Sequence, residues 1–232
     1  MIGPMPRTAR SLVAGGHYHL INRGNNRAAV FLDHDDFEGF VRLMAQAQRS
    51  VRLAILAVCV MPNHFHIVVS QRRTDDISRW MHWLLTTHSH RYHLRHGTSG
   101  RVWQGRFKAF GIERDAHLLT VMRYVERNAL RARLVDRAED WAWCSLAWRD
   151  GGPWQTLLQD PPVVLPRDWP QWVNAPQSAD ELAELRSCVN HQRPYGSDAW
   201  REECAAQSGR IPSPRGRGRP RKIRAEAGTE NR

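Results

Sequence analysis

The sequence predicts an α+β fold in which helices pack against an antiparallel sheet. Strand-like and helix-like periodicities follow one another in the order β-α-β-β-α-β-α up to residue 150. A doubly wound parallel sheet would instead alternate strand and helix throughout. With 232 residues, 41% of them hydrophobic, the chain can bury a core without disulfide bonds or structural metal ions. We therefore expect one compact α+β domain over residues 1–150.

The first half of this domain is predicted to be strand, helix, strand and strand. HYHLINRG, residues 17–24, alternates along its length and ends at a glycine. Residues 33–50 have apolar side chains at helical spacing behind an acidic start. RLAILAVCV, residues 52–60, is a continuous apolar run, typical of a strand buried on both faces. Residues 61–63, Met-Pro-Asn, then turn the chain back into an antiparallel strand over residues 64–70.

The second half is predicted to be helix, strand and helix. Apolar residues recur at helical spacing over residues 75–96, and Gly97 is the expected stop. VWQGRFKAFGIE, residues 102–113, has the composition of a strand interrupted by Gly105. Residues 115–135 form a predicted third helix.

Beyond this domain the composition changes twice. Residues 151–176 contain six prolines, too many for regular structure, although their tryptophans indicate that they pack on the domain. A short helix is predicted over residues 178–193, so residues 151–207 form a packed C-terminal extension. Residues 208–232 are basic and nearly devoid of apolar side chains, and we expect a tail that is disordered when alone.

The charge balance favours a nucleic-acid partner. Lys and Arg number 34 against 23 Asp and Glu, a formal net charge of +11, and most of the excess is arginine, whose planar fork matches phosphate. A merely solubilising surface is the alternative. No run of about 18 apolar residues and no signal peptide is present, so a cytoplasmic, nucleoid-associated protein is expected. Four scattered cysteines favour neither a zinc knuckle nor a disulfide framework.

His64 and His66 are candidate metal ligands. Alternate side chains on a strand share a face, so the two imidazoles project together and can hold one divalent ion. The pattern alone is weak, because a structural or surface role is an equal alternative. The chain contains two further pairs of this spacing, His17 with His19 and His88 with His90. The first is a candidate second pair on a strand, whereas the second lies on a predicted helix, where residues two apart point about 200° apart.

The third helix carries a candidate nucleophile. One stripe of it is apolar and consists of Leu118, Met122, Val125 and Ala129. A second stripe, turned about 100° from the first, holds His117, Val121, Tyr124 and Asn128. A tyrosine with an amide oxygen one turn away, facing a histidine pair, suits phosphoryl transfer by covalent catalysis. The alternative is a buried tyrosine whose hydroxyl bonds to Asn128. Glu126 lies about 200° from Tyr124, which argues against it as a general base.

Taken together, several motifs resemble one family. GGHYHLINRGNNRAAVF, VMPNHFHIVV, WQGRFKAF, RYVERNALRARLV and EDWAWCSLAWRDG follow in that order over nearly all of residues 10–150. In sequence and spacing they are similar to the single-tyrosine HUH transposases, specifically the REP-associated tyrosine transposases. The resemblance implies the HUH endonuclease fold, a ferredoxin-like or RRM-like sheet. It also implies that His64, His66 and Asn128 bind a divalent ion and that Tyr124 is the nucleophile.

The same resemblance implies a reaction and a substrate. Such enzymes use Mg²⁺ or Mn²⁺ to cut single-stranded DNA, join the tyrosine to a 5′-phosphate and release a 3′-hydroxyl that can later rejoin strands. Their substrates are REP palindromes, imperfect hairpins with a conserved tetranucleotide at the 5′ foot. The branch with a C-terminal extension favours a monomer over a helix-swapped dimer.

Two alternatives to this enzyme remain, and the second has little support. The first is a non-catalytic protein that binds REP hairpins for regulation or genome organisation and keeps the site without using it. The second is a histidine-triad nucleotide hydrolase, which would need a third alternating histidine where the chain has Val68. The sequence also departs from many relatives at Ala129, where they have proline, and at Cys144-Ser145, where they have two serines.

Contacts with DNA are predicted in two regions. Splayed bases at a hairpin foot are read by arginines and amides, and backbone phosphates by cations. The candidates in the first 150 residues are Arg23, Asn25, Asn26 and Arg27 in the loop NRGNNR, with Arg10 and Lys108 for phosphates. In the tail, PRGRGRPRK resembles an AT-hook, and its candidates are Arg217, Arg219, Arg221 and Lys222. Solvated charge and generic attraction to phosphate are the respective alternatives.

Overall fold

A four-stranded antiparallel sheet forms the centre of the computed structural model, which describes residues 12–208. Its strands are β1 (His17–Arg23), β2 (Ala54–Met61), β3 (His64–Ser70) and β4 (Lys108–Ile112). Their order across the sheet is β2-β3-β1-β4. Strand β3 therefore lies between β1 and β2, and β1 lies between β3 and β4. The unit that joins β1 to β2 thus interlocks with the unit that joins β3 to β4, which is the ferredoxin-like arrangement. The predicted fold class is confirmed.

Two helices cover one face of the sheet. They are α1 (His34–Ser50) and α2 (Asp76–His96). The side chain of Asp33 accepts a hydrogen bond from the backbone N–H of Asp36 and so caps α1. Gly97 ends α2 in the left-handed conformation that a glycine adopts without strain, as the sequence predicted. The apolar side of both helices packs on Leu20, Phe65 and their neighbours from the sheet.

The opposite face carries α3 (Ala116–Glu126) and the short α4 (Asn128–Arg131). The prediction of one continuous helix over residues 115–135 is wrong in extent, because the helix is divided at Arg127 and its second part ends at Arg131. The guanidinium of Arg127 donates to the carbonyls of Val173 and Asn174, which ties the break to the C-terminal part of the chain. Leu118, Met122 and their neighbours pack against the sheet.

The C-terminal part contains α5 (Trp169–Asn174), α6 (Ala179–His191) and α7 (Asp198–Ser208). The prediction that residues 151–176 lack regular structure is therefore wrong for α5, where Pro170 stands in the first turn and needs no N–H partner. The helix α7 was not predicted. The segment packs on the domain through Trp169, which is buried, whereas Trp154 and Trp172 are half-buried.

The strand predicted before α3 is shorter in the structure, and several predicted DNA contacts fall outside the described residues. The strand expected over residues 102–113 is regular only at its second half, and its first half contributes a single bridge from Trp103 to Gly24. The predicted DNA contacts Arg10, Arg217, Arg219, Arg221 and Lys222 lie outside the described residues, as does the tail from residue 209 onward. Within residues 12–208, none of the helices combines the length and the apolar character that a membrane span requires.

His88 is a buried histidine in the core between α1 and α2. Its ring packs on Phe31, Phe40, Tyr92 and Trp103, and Nδ1 is buried without a hydrogen-bond partner among residues 12–208. Burial lowers the pKa of His88 to about 4, although Asp36 opposes the shift. His90, two residues later, is exposed, as the helical spacing predicted.

His88→Leu is expected to make the protein less sensitive to acid. Between pH 6.5 and about 4, His88 binds a proton in the unfolded chain but not in the folded protein. The free energy of unfolding therefore falls as the pH falls through this window. Removing the group should reduce the loss of unfolding free energy between pH 7 and pH 4.5 by about 2 kcal/mol. Urea unfolding at the two pH values measures this loss. The exposed control His90→Leu should keep the wild-type pH dependence, and equal pH dependence of His88→Leu and wild type would contradict the prediction.

Candidate functional site

The histidine pair lies on the sheet face that α3 covers. His64 and His66 project from β3 on the side opposite Phe65, which belongs to the core under α1 and α2. Their ring centroids are 4.9 Å apart, and the rings are nearly perpendicular. The ladder partners of His66 are Ile21 on β1 and Cys59 on β2. The pair therefore sits in the middle of the sheet, near one end.

His64 is held in one tautomer by Asn63. The Nδ1 of His64 donates to Oδ1 of Asn63 over 2.6 Å. The amide of Asn63 cannot turn freely, because its Nδ2 donates to the carbonyl of Arg27 over 3.1 Å. With the proton on Nδ1, the lone pair of His64 is on Nε2, the nitrogen available to a metal.

His66 is oriented by a third histidine. Nε2 of His19 and Nδ1 of His66 are hydrogen-bonded at 2.9 Å, and their rings stack at 5.0 Å between centroids. His19 therefore does not join His17 as a second pair. His17 is buried, and both of its ring nitrogens lack a hydrogen-bond partner among the described residues. When Nδ1 of His66 is the donor in this hydrogen bond, the lone pair of His66 is on Nε2, where a ligand can use it.

The histidines are neutral at physiological pH. Burial, with the charges of Arg23 and Arg131, lowers the pKa of His64 to about 4. Burial lowers the pKa of His19 to about 3 and that of His66 well below its ordinary value. A neutral imidazole keeps the lone pair that a metal needs, so the site is prepared for a cation without first losing protons.

Tyr124 faces these histidines from the same chain. Its ring centroid is 6.0 Å from that of His66 and 6.2 Å from that of His19, edge-on in both cases. The guanidinium of Arg131 lies on the tyrosine ring. Only about 6% of Tyr124 is exposed. The fold thus brings the predicted nucleophile to the predicted metal ligands without help from a second subunit.

Asn128 begins α4, just past the end of α3, which carries Tyr124 and is called the tyrosine helix below. Its Oδ1 accepts a hydrogen bond from Nη2 of Arg131 at 2.9 Å. Its Nδ2 is buried and has no hydrogen-bond partner within residues 12–208. An amide oxygen carries two lone pairs, so the contact with Arg131 leaves one for a cation.

The donor set fits a small divalent ion. Two neutral imidazoles and one amide oxygen add no negative charge, so an ion held there keeps its full charge for a phosphate. The unpaired Nδ2 of Asn128 is a hydrogen-bond donor, so it suits an acceptor such as a phosphate oxygen, whereas the Oδ1 of the same amide is the atom that could bind a cation. Elsewhere in the described chain, ligand atoms of Glu113, Asp115 and His117 also lie close together. Glu113 and Asp115 there bond the starts of α7 and α3, which explains the cluster without a metal.

Basic side chains lie around the histidine pair on the same face. Arg23 is the direct ladder partner of His64, and Lys108 is that of Ile21, so both point toward the α3 side. Arg23 is exposed and Lys108 is half-buried. Two of the predicted DNA contacts therefore flank the candidate metal ligands.

The other predicted contacts form a tight turn at the end of β1. Asn25–Arg27 is a single 3-10 turn, and Asn26 and Arg27 both have positive φ, 52° and 63°. Gly24 makes this turn fit, since a Cβ there would lie 2.3 Å from the carbonyl oxygen of Ala28. Its N–H donates to the carbonyl of Asn63. The turn is thus tied to the residue that orients His64.

Glu126 has a structural role on the far side of α3. Its Oε1 accepts hydrogen bonds from Ser145 and from the guanidinium of Arg149, and its Oε2 accepts one from the indole of Trp169 at 2.6 Å. The carboxylate is completely buried. These contacts agree with the expectation that Glu126 is not the base, and they anchor the tyrosine helix to residues 145–169.

Sequence reasoning missed three residues of this site. Asn63 and Arg131 had no assigned role, and His19 was considered only as a partner of His17. His19 could have been found from strand alternation together with the β1–β3 register. The position of Arg131 had no comparable signal, because a long side chain has many rotamers.

Comparisons with known proteins support the fold class and the family. A family profile described as "Transposase IS200 like" matches residues 12–128. Among solved structures, a REP-associated tyrosine transposase bound to a REP hairpin is 20% identical with a TM-score of 0.51, over 62% of this chain and 84% of that one. A transposase candidate from Deinococcus radiodurans R1 is 18% identical with a TM-score of 0.37, over 52% and 95% of the two chains. No curated protein matches.

Proposed function

Because this chain belongs to the IS200-like transposase family, we propose that it is a metal-dependent strand transferase that cuts single-stranded DNA through a covalent bond to Tyr124. The contact between the Tyr124 and His66 rings within one chain carries the proposal. This contact puts the phenol and the histidine pair at one site, as attack of the tyrosine on a metal-bound phosphate would require.

In the proposed reaction the phenolic oxygen of Tyr124 attacks phosphorus. A P–O bond to the tyrosine forms while the P–O3′ bond breaks, the phenol gives up its proton, and the 3′ oxygen leaves as a hydroxyl. The 5′-phosphotyrosine conserves the energy of the bond, so rejoining needs neither water nor a nucleotide cofactor. His64, His66 and Asn128 would hold Mg²⁺ or Mn²⁺, which supplies Lewis-acid activation of a phosphate oxygen.

We propose REP-type hairpins as the substrates. A solved structure with this fold is bound to a REP hairpin. The basic residues Arg23 and Lys108 and the turn Asn25–Arg27 lie beside the histidine pair, where the foot of a hairpin would present its unpaired bases.

The complete site within one chain favours a monomer. Arg123, Glu126 and Arg127 on the tyrosine helix all bond to residues between 145 and 176. These bonds hold the helix to its own domain, and exchanging it with a second copy would break them.

His66→Ala is expected to lower the affinity for Mn²⁺ by at least about 100-fold, since it removes a direct ligand. Calorimetric titration of the full-length protein with Mn²⁺ measures this without any DNA. His90→Ala, an exposed histidine on α2, is the matched control and should bind like wild type. Equal affinity of His66→Ala and wild type would place the metal elsewhere.

A further inference from the structure

Arg131 lies directly on the proposed nucleophile. Its guanidinium carbon is 4.1 Å from the centroid of the Tyr124 ring, the geometry of a cation–π contact. Nη2 donates to Oδ1 of Asn128 at 2.9 Å, and Nη1 makes a longer bond of 3.4 Å to the Tyr124 carbonyl. One side chain therefore contacts both residues that α3 and α4 contribute to the site.

Arg131 carries its charge without a counter-ion among the described residues. The side chain is half-buried, yet it forms no ion pair with any carboxylate of residues 12–208. Arg149 pairs with Glu126, and Arg123 and Arg127 donate to neutral carbonyls at the end of α5, whereas Arg131 has its guanidinium on the ring of Tyr124. A guanidinium has more N–H donors than its two contacts use. Since an unpaired, partly desolvated charge is costly, an anion at this position would be stabilising.

The surroundings identify the anion. Tyr124, the histidine pair and Arg131 are neighbours: the ring of Tyr124 meets that of His66, which is 4.9 Å from the ring of His64 between centroids, and the guanidinium of Arg131 lies on the ring of Tyr124. In this space the anion would be the group that Tyr124 attacks. A phosphodiester under attack gains negative charge on its non-bridging oxygens, and a fixed cation aimed at them stabilises the transition state more than the ground state.

We propose that Arg131 is a catalytic residue that binds a non-bridging oxygen of the scissile phosphate while its stacking holds Tyr124 in line for attack. This inference rests on the proposed function. It assigns the phosphate two positive contacts, one from the histidine side of the site and one from the tyrosine side. In the alternative, Arg131 is only structural and holds Tyr124 and Asn128 together without contacting the substrate.

Arg131→Gln tests the inference with the full-length protein, Mn²⁺ and a single-stranded REP hairpin. Adduct formation under single-turnover conditions should slow about 100-fold, the usual effect of removing one transition-state donor, while hairpin affinity changes less than about threefold. Arg131→Lys keeps the charge without the fork and should recover part of the rate. The matched control Arg133→Gln removes an exposed arginine two residues away and should react like wild type.

A modified substrate separates contact with phosphate from a structural effect. In a hairpin whose scissile linkage is a methylphosphonate, one non-bridging oxygen is replaced by a methyl group. For one of the two diastereomers, the advantage of wild type over Arg131→Gln should shrink from about 100-fold to less than about fivefold, because the oxygen that Arg131 contacts is gone. If Arg131→Gln melts below the assay temperature, Arg131→Lys takes its place in this comparison.

These experiments distinguish a failure of the role of Arg131 from a failure of the proposed function. An undiminished rate defect of the Arg131 variant on both diastereomers, or a wild-type rate for Arg131→Gln on the normal hairpin, would overturn the role of Arg131. Failure of the wild-type protein to form any adduct with normal hairpins would overturn the proposed function instead.

Discussion

Tyr124→Phe is expected to abolish the covalent protein–DNA adduct, with a loss of at least about 1,000-fold, because phenylalanine has no atom that can form the bond to phosphorus. The substitution removes only the hydroxyl. The ring should keep its contacts with Arg131 and His66. Binding of a hairpin should therefore stay within about threefold of wild type. A denaturing gel after incubation with labelled hairpin and Mn²⁺ measures the adduct, and a native gel measures binding.

Tyr195→Phe is the control for this experiment. Tyr195 is also buried, but it lies beside His117 at the other end of α3. It should form the adduct at the wild-type rate. Adduct that persists in Tyr124→Phe would assign the nucleophile to another residue. A wild-type protein that binds the hairpin and never becomes attached to it would favour the non-catalytic REP-binding alternative.

Glu126→Gln is expected to destabilise the protein by about 3–5 kcal/mol, because removal of one partner leaves the charge of Arg149 buried without its counter-ion. Both oxygens of Glu126 accept hydrogen bonds from residues that follow the tyrosine helix by 19 to 43 positions. One side chain thus joins α3 to Ser145, Arg149 and Trp169. Urea unfolding followed by circular dichroism measures the loss.

Glu184→Gln provides the matched control. Glu184 pairs with Arg201, but the carboxylate is 47% exposed, so the same change of charge should cost less than about 1 kcal/mol. The double variant Glu126→Gln with Arg149→Met removes both charges and should recover part of the stability. Equal stability of Glu126→Gln and Glu184→Gln would show that the buried pair does not anchor the helix.

The sequence by itself determined what depends on local backbone geometry. Strand alternation places His64 and His66 on one face, and the helical period places Tyr124 and Asn128 one turn apart. The order of elements was enough for an antiparallel sheet with packed helices, and the motifs were enough for a family that the profile match confirms and whose resemblance implied the ferredoxin-like sheet.

Only the tertiary structure decided which groups meet across the chain. The register of β1 on β3 puts Arg23 beside His64, and the packing of the two strands puts His19 against His66. Where the helix is divided, the side chain of Arg127 donates to a carbonyl 46 residues away. Such contacts depend on side-chain packing and long-range hydrogen bonds, which have no period along the sequence. Local propensity therefore gave one long helix where the folded protein has two, with Arg131 on the second and its guanidinium on the Tyr124 ring.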